Sequence, residues 1–146
     1  MVDKVNVQFF SKKELTSNEE FKRVTGIGGI FFKAKNPQEL KDWYKKHLGF
    51  HTDDWGCTFW WKDEENKKSS TQWSPFKKDT TYFSPSKKDH MFNYRVENLV
   101  KLLDELKKEG VEIIGKIEEY EYGKFAWILD PEGNKIELWQ PIDAAL

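Results

Sequence analysis

The chain has 146 residues, of which 38% are hydrophobic and 34% are charged, and its formal net charge is −1. This length fits one ordinary domain, and this composition can supply a buried core. Lysines and acidic residues are interspersed along the whole chain, so no basic face predicts binding to nucleic acid. No apolar run reaches the length of a transmembrane helix and no signal peptide begins at Met1, so no membrane contact is expected.

The first predicted elements lie behind an N-terminal extension. Residues 1–23 form this extension, with a short apolar run at 5–10, and the domain is expected at 24–146. Aromatic and β-branched residues predict a strand that includes Gly29. Asn36 and Pro37 suit the N-cap and N1 positions of a helix that ends at Gly49. Its predicted apolar face, at helical spacing, is formed by Leu40, Trp43, Tyr44 and His47 or Leu48.

The rest of the first half is predicted to be strands. CTFWWK from Cys57 and STQWSPF from Ser70 have strand composition, and a weaker strand is predicted around residues 51–54. Cys57 is the only cysteine, which favours a small buried thiol and a reducing, cytoplasmic location. A polar connector at 80–89 separates this half, about 24–78, from the second half, about 89–142.

The second half repeats the first with almost no gap. The segment MFNYRVENLVKLLDELKKEGVEI from Met91 can be laid over GIFFKAKNPQELKDWYKKHLGF from Gly29. Asn98 again suits the N-cap, Gly110 the helix end, and the predicted apolar face is Leu99, Leu102, Leu103 and Leu106. Three strands follow, VEIIG, KFAWILD and NKIELWQP. The predicted fold class is therefore α+β, with two βαβββ repeats forming a curved mixed sheet around a cleft and the helices outside.

These segments resemble the vicinal oxygen chelate superfamily, which includes glyoxalase I, bleomycin-resistance and fosfomycin-resistance proteins and extradiol dioxygenases. The pattern of strand, Asn-Pro, helix and HLGF in Gly29–Phe50 carries the resemblance, and FAWILDPEGNKIELWQP at Phe125–Pro141 is its most specific part. The resemblance covers about Val24–Pro141. It implies the fold and a homodimer, but it leaves the activity open because this fold hosts many chemistries.

The resemblance also implies four metal-ligand positions, which fall here on Gly29, Gln72, Met91 and Glu137. Glycine offers no ligand and a Met thioether suits hard divalent cations poorly, so the ordinary metal site is expected to be lost and no cofactor is expected. A divalent metal held by Gln72, His90 and Glu137 is the alternative. Because neighbouring strand residues face opposite sides of a sheet, His90 would need a bulge to reach the cleft.

Strand parity, counted from these positions, predicts which side chains face the cleft. The predicted ligand-binding residues are Phe31, Trp60, Gln72, Ser74, Met91, Asn93, Arg95, Trp127 and Trp139. Glu137 is the predicted catalytic residue, as a general base whose pKa burial would raise. The plain alternative is that the aromatic side chains only fill the cleft and that the basic side chains stay solvated.

Three classes of function follow from these residues. The favoured hypothesis is a cytoplasmic, homodimeric, glyoxalase/bleomycin-resistance-like protein that binds a small organic molecule in an aromatic cleft with a degenerate metal site. The alternative is a divalent-metal-dependent lyase, isomerase or dioxygenase of the glyoxalase type. The third is an interaction module whose aromatic surface binds another protein. The sequence leaves open whether the protein is an enzyme.

Overall fold

The structure is a computed structural model and describes residues 22–143. The predicted N-terminal extension at 1–23 therefore lies almost wholly outside the described residues, and the domain boundary stays a prediction. The elements are β1 (Val24–Ala34), α1 (Pro37–Leu48), β2 (Cys57–Lys62), β3 (Lys68–Lys77), β4 (His90–Val96), α2 (Leu99–Lys108), β5 (Glu112–Tyr120), β6 (Gly123–Leu129) and β7 (Lys135–Pro141). No helix within this part of the chain is long and apolar enough to span a membrane.

The strands form one mixed sheet in the order β2-β3-β1-β4-β7-β6-β5. Within each half the first strand pairs in parallel with the last, β1 with β3 and β4 with β7. The halves join through β1 and β4, which are antiparallel. The predicted α+β fold with a curved mixed sheet is confirmed.

The first half departs from the predicted pattern directly after α1. The strand predicted around residues 51–54 is absent, and only an isolated bridge joins Thr52 to Cys57. The Asp53 carboxylate instead accepts hydrogen bonds from the backbone N–H groups of Trp55 and Gly56, at 2.8 and 2.9 Å. This side-chain turn competes with strand pairing, as aspartate commonly does. Residues 49–56 are therefore a loop, and we call them the Trp55 loop.

Both helices begin and end where the sequence predicts. The Asn36 side chain accepts from the backbone N–H of Glu39 at 3.0 Å, and Asn98 accepts from Lys101 at 3.1 Å. Gly49 has φ 72° after α1, in the left-handed region that glycine adopts without strain. The local signals for helix position are therefore reliable in both halves.

The two helices bury different kinds of side chain, apolar in α2 and a lysine in α1. Leu99 and Leu102 of α2 are buried in a core with Val96 of β4 and with Ala126 and Leu138, as the sequence predicts. The predicted apolar face of α1 is only partly right, because Trp43 and Leu48 are 52% and 57% exposed. Its buried side chain is Lys41, whose Nζ donates to the backbone oxygens of Asp53 and Asp54. The loop that replaces the missing strand needs this donor.

Candidate functional site

A single row of neighbouring residues crosses the sheet on the face opposite the helices. In strand order from β2 to β5 the row is Thr58, Gln72, Gly29, Asn93, Glu137, Trp127 and Ile114. Residues in register on adjacent strands share one face and lie within side-chain contact distance. The row therefore brings polar and aromatic groups from both halves to one place.

This register corrects the alignment of the two halves. The β4 neighbour of Glu137 is Asn93 rather than Met91. In the same way the residue paired with Gln72 on β2 is Thr58, so Thr58 and not Trp60 corresponds to Trp127. The halves differ in length at this point, because Gly29 lies seven positions before the N-cap Asn36, whereas Asn93 lies five positions before the N-cap Asn98. An alignment without a gap therefore places Met91, two residues too early, against Gly29, and the error of two residues keeps the predicted face.

Glu137 is the chemical centre of the row. Its side chain is 3% exposed, and its Oε1 accepts from Asn93 Nδ2 at 2.7 Å. Its Oε2 accepts from Trp127 Nε1 at 2.9 Å and from the Tyr82 hydroxyl. A buried carboxylate is tolerated when hydrogen bonds replace its lost water. Three donors from β4, β6 and the connector between the halves do so here.

The burial of this centre shifts three pKa values. Burial raises the pKa of the Glu137 carboxyl, and hydrogen bonds from Tyr82, Asn93 and Trp127 with the charge of Lys135 oppose the rise without cancelling it. Burial and the adjacent Glu137 carboxylate raise the pKa of Tyr82, so this phenol remains a donor at neutral pH. Burial lowers the pKa of Lys135, whose Nζ donates to the Tyr82 backbone oxygen at 2.7 Å.

Asn93 is held in one orientation by this carboxylate. The side chain is 1% exposed, and its Oδ1 has no hydrogen-bond partner among residues 22–143. A Cβ on Gly28 would lie 2.1 Å from that oxygen, closer than two such atoms can approach. Turning the amide over would place Oδ1 against Glu137, so the carboxylate fixes the amide and Gly28 leaves room for its oxygen.

A cleft lies in front of this row. Its outer part has a volume of about 530 Å³ and an adjoining inner part about 440 Å³, within the range of about 300–1,000 Å³ that small-molecule sites occupy. Both parts are lined by Phe31, Trp55, Gln72, Tyr122, Phe125 and Glu137. The lining is thus aromatic, with a few polar groups, which is the usual composition of a ligand site.

Aromatic side chains border the cleft from two directions. On one side, the tip of the β5–β6 hairpin carries Tyr120 and Tyr122, whose rings are stacked at 5.4 Å, while Phe125 stacks on Trp139 at 5.8 Å. The Trp55 loop also contributes, since Trp55 lines both parts of the cleft although it is 79% exposed. An exposed indole next to a cleft offers an aromatic face to a ligand.

Most of the predicted site residues line this cleft. The structure brings together seven of them, namely Phe31, Gln72, Ser74, Asn93, Trp127, Glu137 and Trp139. A chain of hydrogen bonds orients the polar ones of the first half, because Thr58 Oγ1 donates to Gln72 Oε1 at 2.7 Å and Gln72 Nε2 donates to Ser74 at 3.3 Å. Their roles in binding and the catalytic role of Glu137 stay predictions.

Four other predicted residues do not reach the cleft, and the structure gives a reason for each. Met91 is covered by Phe83 in a buried cluster, and the buried Arg95 binds Ser70 and Asp143. Trp60 lies at the sheet edge, 47% exposed, with the ammonium group of Lys68 4.2 Å from its ring centroid. His90 is exposed and its ring contacts Phe92, so the candidate ligand set of Gln72, His90 and Glu137 is not assembled.

Sequence reasoning missed several cleft residues, chiefly Tyr82, Trp55, Tyr120 and Tyr122. All of them lie in loops or at a hairpin tip, where strand parity cannot assign a facing. A usable signal was the aromatic residue inside otherwise polar stretches, since DDWG and EEYEYG place large rings among acidic side chains. Such rings are unexpected in solvated loops and indicate contact with a ligand or another surface.

The residues at the centre of the row do not fit a divalent metal. The four central positions are Gln72, Gly29, Asn93 and Glu137, of which only Glu137 is a strong ligand for such an ion. Both its oxygens face N–H or O–H donors, whose partial positive charge would point at a cation. No group of three His, Cys, Asp or Glu side chains among residues 22–143 is arranged to hold a metal.

The fold and cleft define a class of protein, an α+β domain whose two related halves share one mixed sheet and enclose a ligand-sized space. The model of the Glyoxalase/Bleomycin resistance protein/Dioxygenase superfamily matches residues 26–138. The chain therefore belongs to this superfamily, as the sequence resemblance predicts. A search of curated proteins gives no match.

Solved structures agree with this fold. The chain is similar to methylmalonyl-CoA epimerase from Mycobacterium tuberculosis, with 18% identity, 89% of this chain and 98% of that chain covered, and a TM-score of 0.57. It is also similar to a variant of Streptomyces coelicolor methylmalonyl-CoA epimerase in complex with 2-nitronate-propionyl-CoA, at 10% identity, 82% and 99% coverage and a TM-score of 0.62. A superfamily member from Vibrio splendidus 12B01 gives 11% identity, 80% and 98% coverage and a TM-score of 0.51. At these identities the similarity shows the fold alone.

Proposed function

We propose that this protein binds a small organic molecule in the aromatic cleft and does so without a metal cofactor. The observation that carries the proposal is the state of Glu137, whose two carboxylate oxygens accept from Asn93, Trp127 and Tyr82. In this arrangement the carboxylate serves to organise the cleft wall. The volume and the aromatic lining of the cleft support a ligand of drug-like size.

The metal-dependent alternative requires a different arrangement of the same residues. A lyase, isomerase or dioxygenase of the glyoxalase type would need Glu137 to turn its lone pairs toward a cation together with other ligands. Tyr82 and Trp127 would then lose their acceptor inside a buried site, which costs about 1–3 kcal/mol for each group. Gln72 could contribute only an amide oxygen, and that oxygen already accepts from Thr58.

Metal content tests this proposal directly. Protein purified without chelator would be dialysed against Mn²⁺, Fe²⁺, Ni²⁺ or Zn²⁺ and its bound metal measured. We expect no more metal on the wild type than on Glu137→Gln. The matched control is Glu132→Gln, the same change on the exposed β6–β7 turn. Near-stoichiometric metal on the wild type and on the control, but not on Glu137→Gln, would overturn the proposal in favour of the metal-dependent alternative.

We further propose that the protein acts as a homodimer in the cytoplasm. Ile30 and Phe92 lie opposite each other on the two central strands and are 38% and 41% exposed. Paired apolar side chains on the face that carries the helices favour burial against a second copy. The single cysteine, Cys57, is buried and unpaired, which is compatible with a reducing compartment.

A further inference from the structure

The charged groups of the cleft are of one sign. Its two parts are lined by four carboxylates, Asp53, Asp54, Glu118 and Glu137, and by no lysine, arginine or histidine among residues 22–143. Asp53 and Glu137 accept hydrogen bonds from the protein. Glu118 uses one oxygen for the Tyr120 hydroxyl. The other Glu118 oxygen and the Asp54 carboxylate accept no hydrogen bond from the described residues.

The nearest cations lie outside the lining and offset the charge of its four carboxylates only in part, as the charge of Lys135 does for Glu137 and Glu118. Lys135 is held by the Tyr82 backbone oxygen, and Lys41 by the backbone oxygens of the Trp55 loop. Arg95 is paired with Asp143 behind the Trp139 ring. Each of these groups is tied to a protein acceptor and none lines the cleft. The cleft therefore presents net negative charge to an incoming ligand.

The aromatic rings around these carboxylates add attraction for positive charge. The face of a Trp or Tyr ring carries negative potential and attracts an ammonium group within about 6 Å of its centroid. Trp55 and Tyr122 border the cleft with 79% and 45% of their surface exposed, so their faces are accessible. Asp54 is adjacent to Trp55 in the chain, and Glu118 binds the hydroxyl of Tyr120, two residues before Tyr122. Ring faces and carboxylates thus lie together on the Trp55 loop and on the β5–β6 hairpin.

We propose that the ligand of this cleft is a small organic cation, an ammonium group carried on an apolar, ring-containing body. This inference rests on the proposed function and specifies its ligand class. The body packs on Phe31, Phe125 and Trp139, while the ammonium group lies near Asp54, Glu118 and the Trp55 and Tyr122 rings. An anionic ligand of the same shape is repelled, because its carboxylate would lie next to the Asp54 and Glu118 carboxylates and like charges repel.

A matched ligand series tests the inference by isothermal titration calorimetry. The probes share one biphenylmethyl body and end in a primary ammonium, a hydroxyl or a carboxylate group. We expect the Kd of the ammonium probe to be about tenfold lower than that of the carboxylate probe, with the hydroxyl probe between them. Raising the salt concentration should weaken the ammonium probe most, since exposed charges are screened.

Two cleft variants separate charge from shape. Asp54→Asn with Glu118→Gln should reduce the preference for the ammonium probe about tenfold and leave the hydroxyl probe unchanged, whereas Trp55→Ala should weaken all three probes. Asp104→Asn with Glu132→Gln is the charge-matched control, because it removes two negative charges from exposed residues outside the cleft, and it should change nothing.

The possible results distinguish a failure of the cation inference from a failure of the proposed function. If the carboxylate probe binds as tightly as the ammonium probe, or if Asp54→Asn with Glu118→Gln leaves the preference intact, the cation inference is wrong while small-molecule binding stands. If no probe binds to the wild type, the inference and the proposed aromatic binding site are both contradicted.

Discussion

Glu137 shows how one buried side chain sets the chemistry of its surroundings. Asn93, Trp127 and Tyr82 each donate to this carboxylate, so each of them has its orientation determined by it. Because the carboxylate fixes the Asn93 amide, position 28 must be glycine, where a side chain would collide with Asn93 Oδ1. The effect of one acidic residue thus reaches three strands and the connector between the halves.

The raised pKa of Glu137 predicts a pH-dependent contribution to stability. Because its folded-state pKa lies above the ordinary value of 4.5, the folded state binds more protons between the two values. The free energy of unfolding contributed by this group is therefore fully present below pH 4.5 and falls as pH rises toward the folded-state pKa. Replacing Glu137 by a neutral side chain removes this slope.

We expect Glu137→Gln to be less stable than the wild type by about 1–3 kcal/mol at low pH, because its NH2 group faces a donor. The deficit should shrink as pH rises, by about 1.4 kcal/mol for each pH unit of the interval between the two pKa values. Urea unfolding from about pH 4 to about pH 8 measures it, with Glu132→Gln as control. A deficit that stays constant or grows with pH would contradict this assignment.

For individual side chains, the sequence predicted only part of the candidate site. Parity, counted from the positions that the resemblance implies, correctly placed Ser74, Asn93 and Trp139 on the cleft face, because regular strands alternate strictly. It could not identify Asn93 as the neighbour of Glu137, because the halves differ by two residues between the first strand and the helix N-cap. Nor could it supply Tyr82, which reaches Glu137 from a connector 55 residues earlier in the chain.

The elements around the cleft differ in how they are held. The β5–β6 hairpin is held by strand pairing, whereas the Trp55 loop depends on a few polar contacts from α1. Lys41 is 6% exposed and donates to Asp53 and Asp54 oxygens at 3.0 and 3.2 Å. A buried lysine is uncommon unless it is paired. This one replaces the backbone pairing that a strand would have supplied.

Lys41→Met should therefore loosen the Trp55 loop without unfolding the domain. Methionine keeps the apolar stem but removes the donor, leaving two carbonyl groups that must find water or shift. We expect faster amide hydrogen exchange at Trp55 and Gly56 and weaker binding of cleft ligands. Lys45→Met, on the exposed surface of α1, is the matched control. Unchanged exchange at both amides would show that the lysine does not hold the loop.

Local sequence signals succeeded for the helices and failed for this loop. Asn36, Asn98 and the glycines after each helix act through backbone groups a few residues away, and such short-range effects are readable from sequence. Whether residues 51–54 form a strand depends on the relative stability of sheet pairing and of the Asp53 turn. Tertiary contacts, including the hydrogen bonds from Lys41, stabilise the turn. These contacts cannot be read from the sequence alone.

The sheet is built from two halves of similar strand arrangement that differ at equivalent positions. Thr58, Gln72 and Gly29 of the first half correspond in the sheet to Trp127, Glu137 and Asn93 of the second. The first set contains no ionisable group, and the second carries the buried carboxylate with its donors. Because the fold joins the halves through β1 and β4, this asymmetry lies inside one cleft. Along the sheet itself a ligand therefore meets neutral residues in the first half and the buried carboxylate in the second.

The outer surface of the same two strands predicts the assembly. Ile30 and Phe92 lie opposite each other and are both substantially exposed. A stable dimer buries about 1,200–2,000 Å² of total surface around such an apolar centre. We expect Ile30→Lys to turn the proposed homodimer into a monomer, because a lysine there would have to leave water on association. The variant should keep the fold, since Ile30 is already solvent-accessible.

Sedimentation equilibrium over a range of protein concentrations measures this change, and circular dichroism checks the fold. The matched control is Val100→Lys on α2, which replaces an apolar residue of similar exposure at 54% away from the β1–β4 surface. A wild-type protein that is monomeric at every concentration would contradict the homodimer itself. A dimer that survives Ile30→Lys would place its interface elsewhere, because an unpaired charge at the centre of an apolar contact is incompatible with tight association.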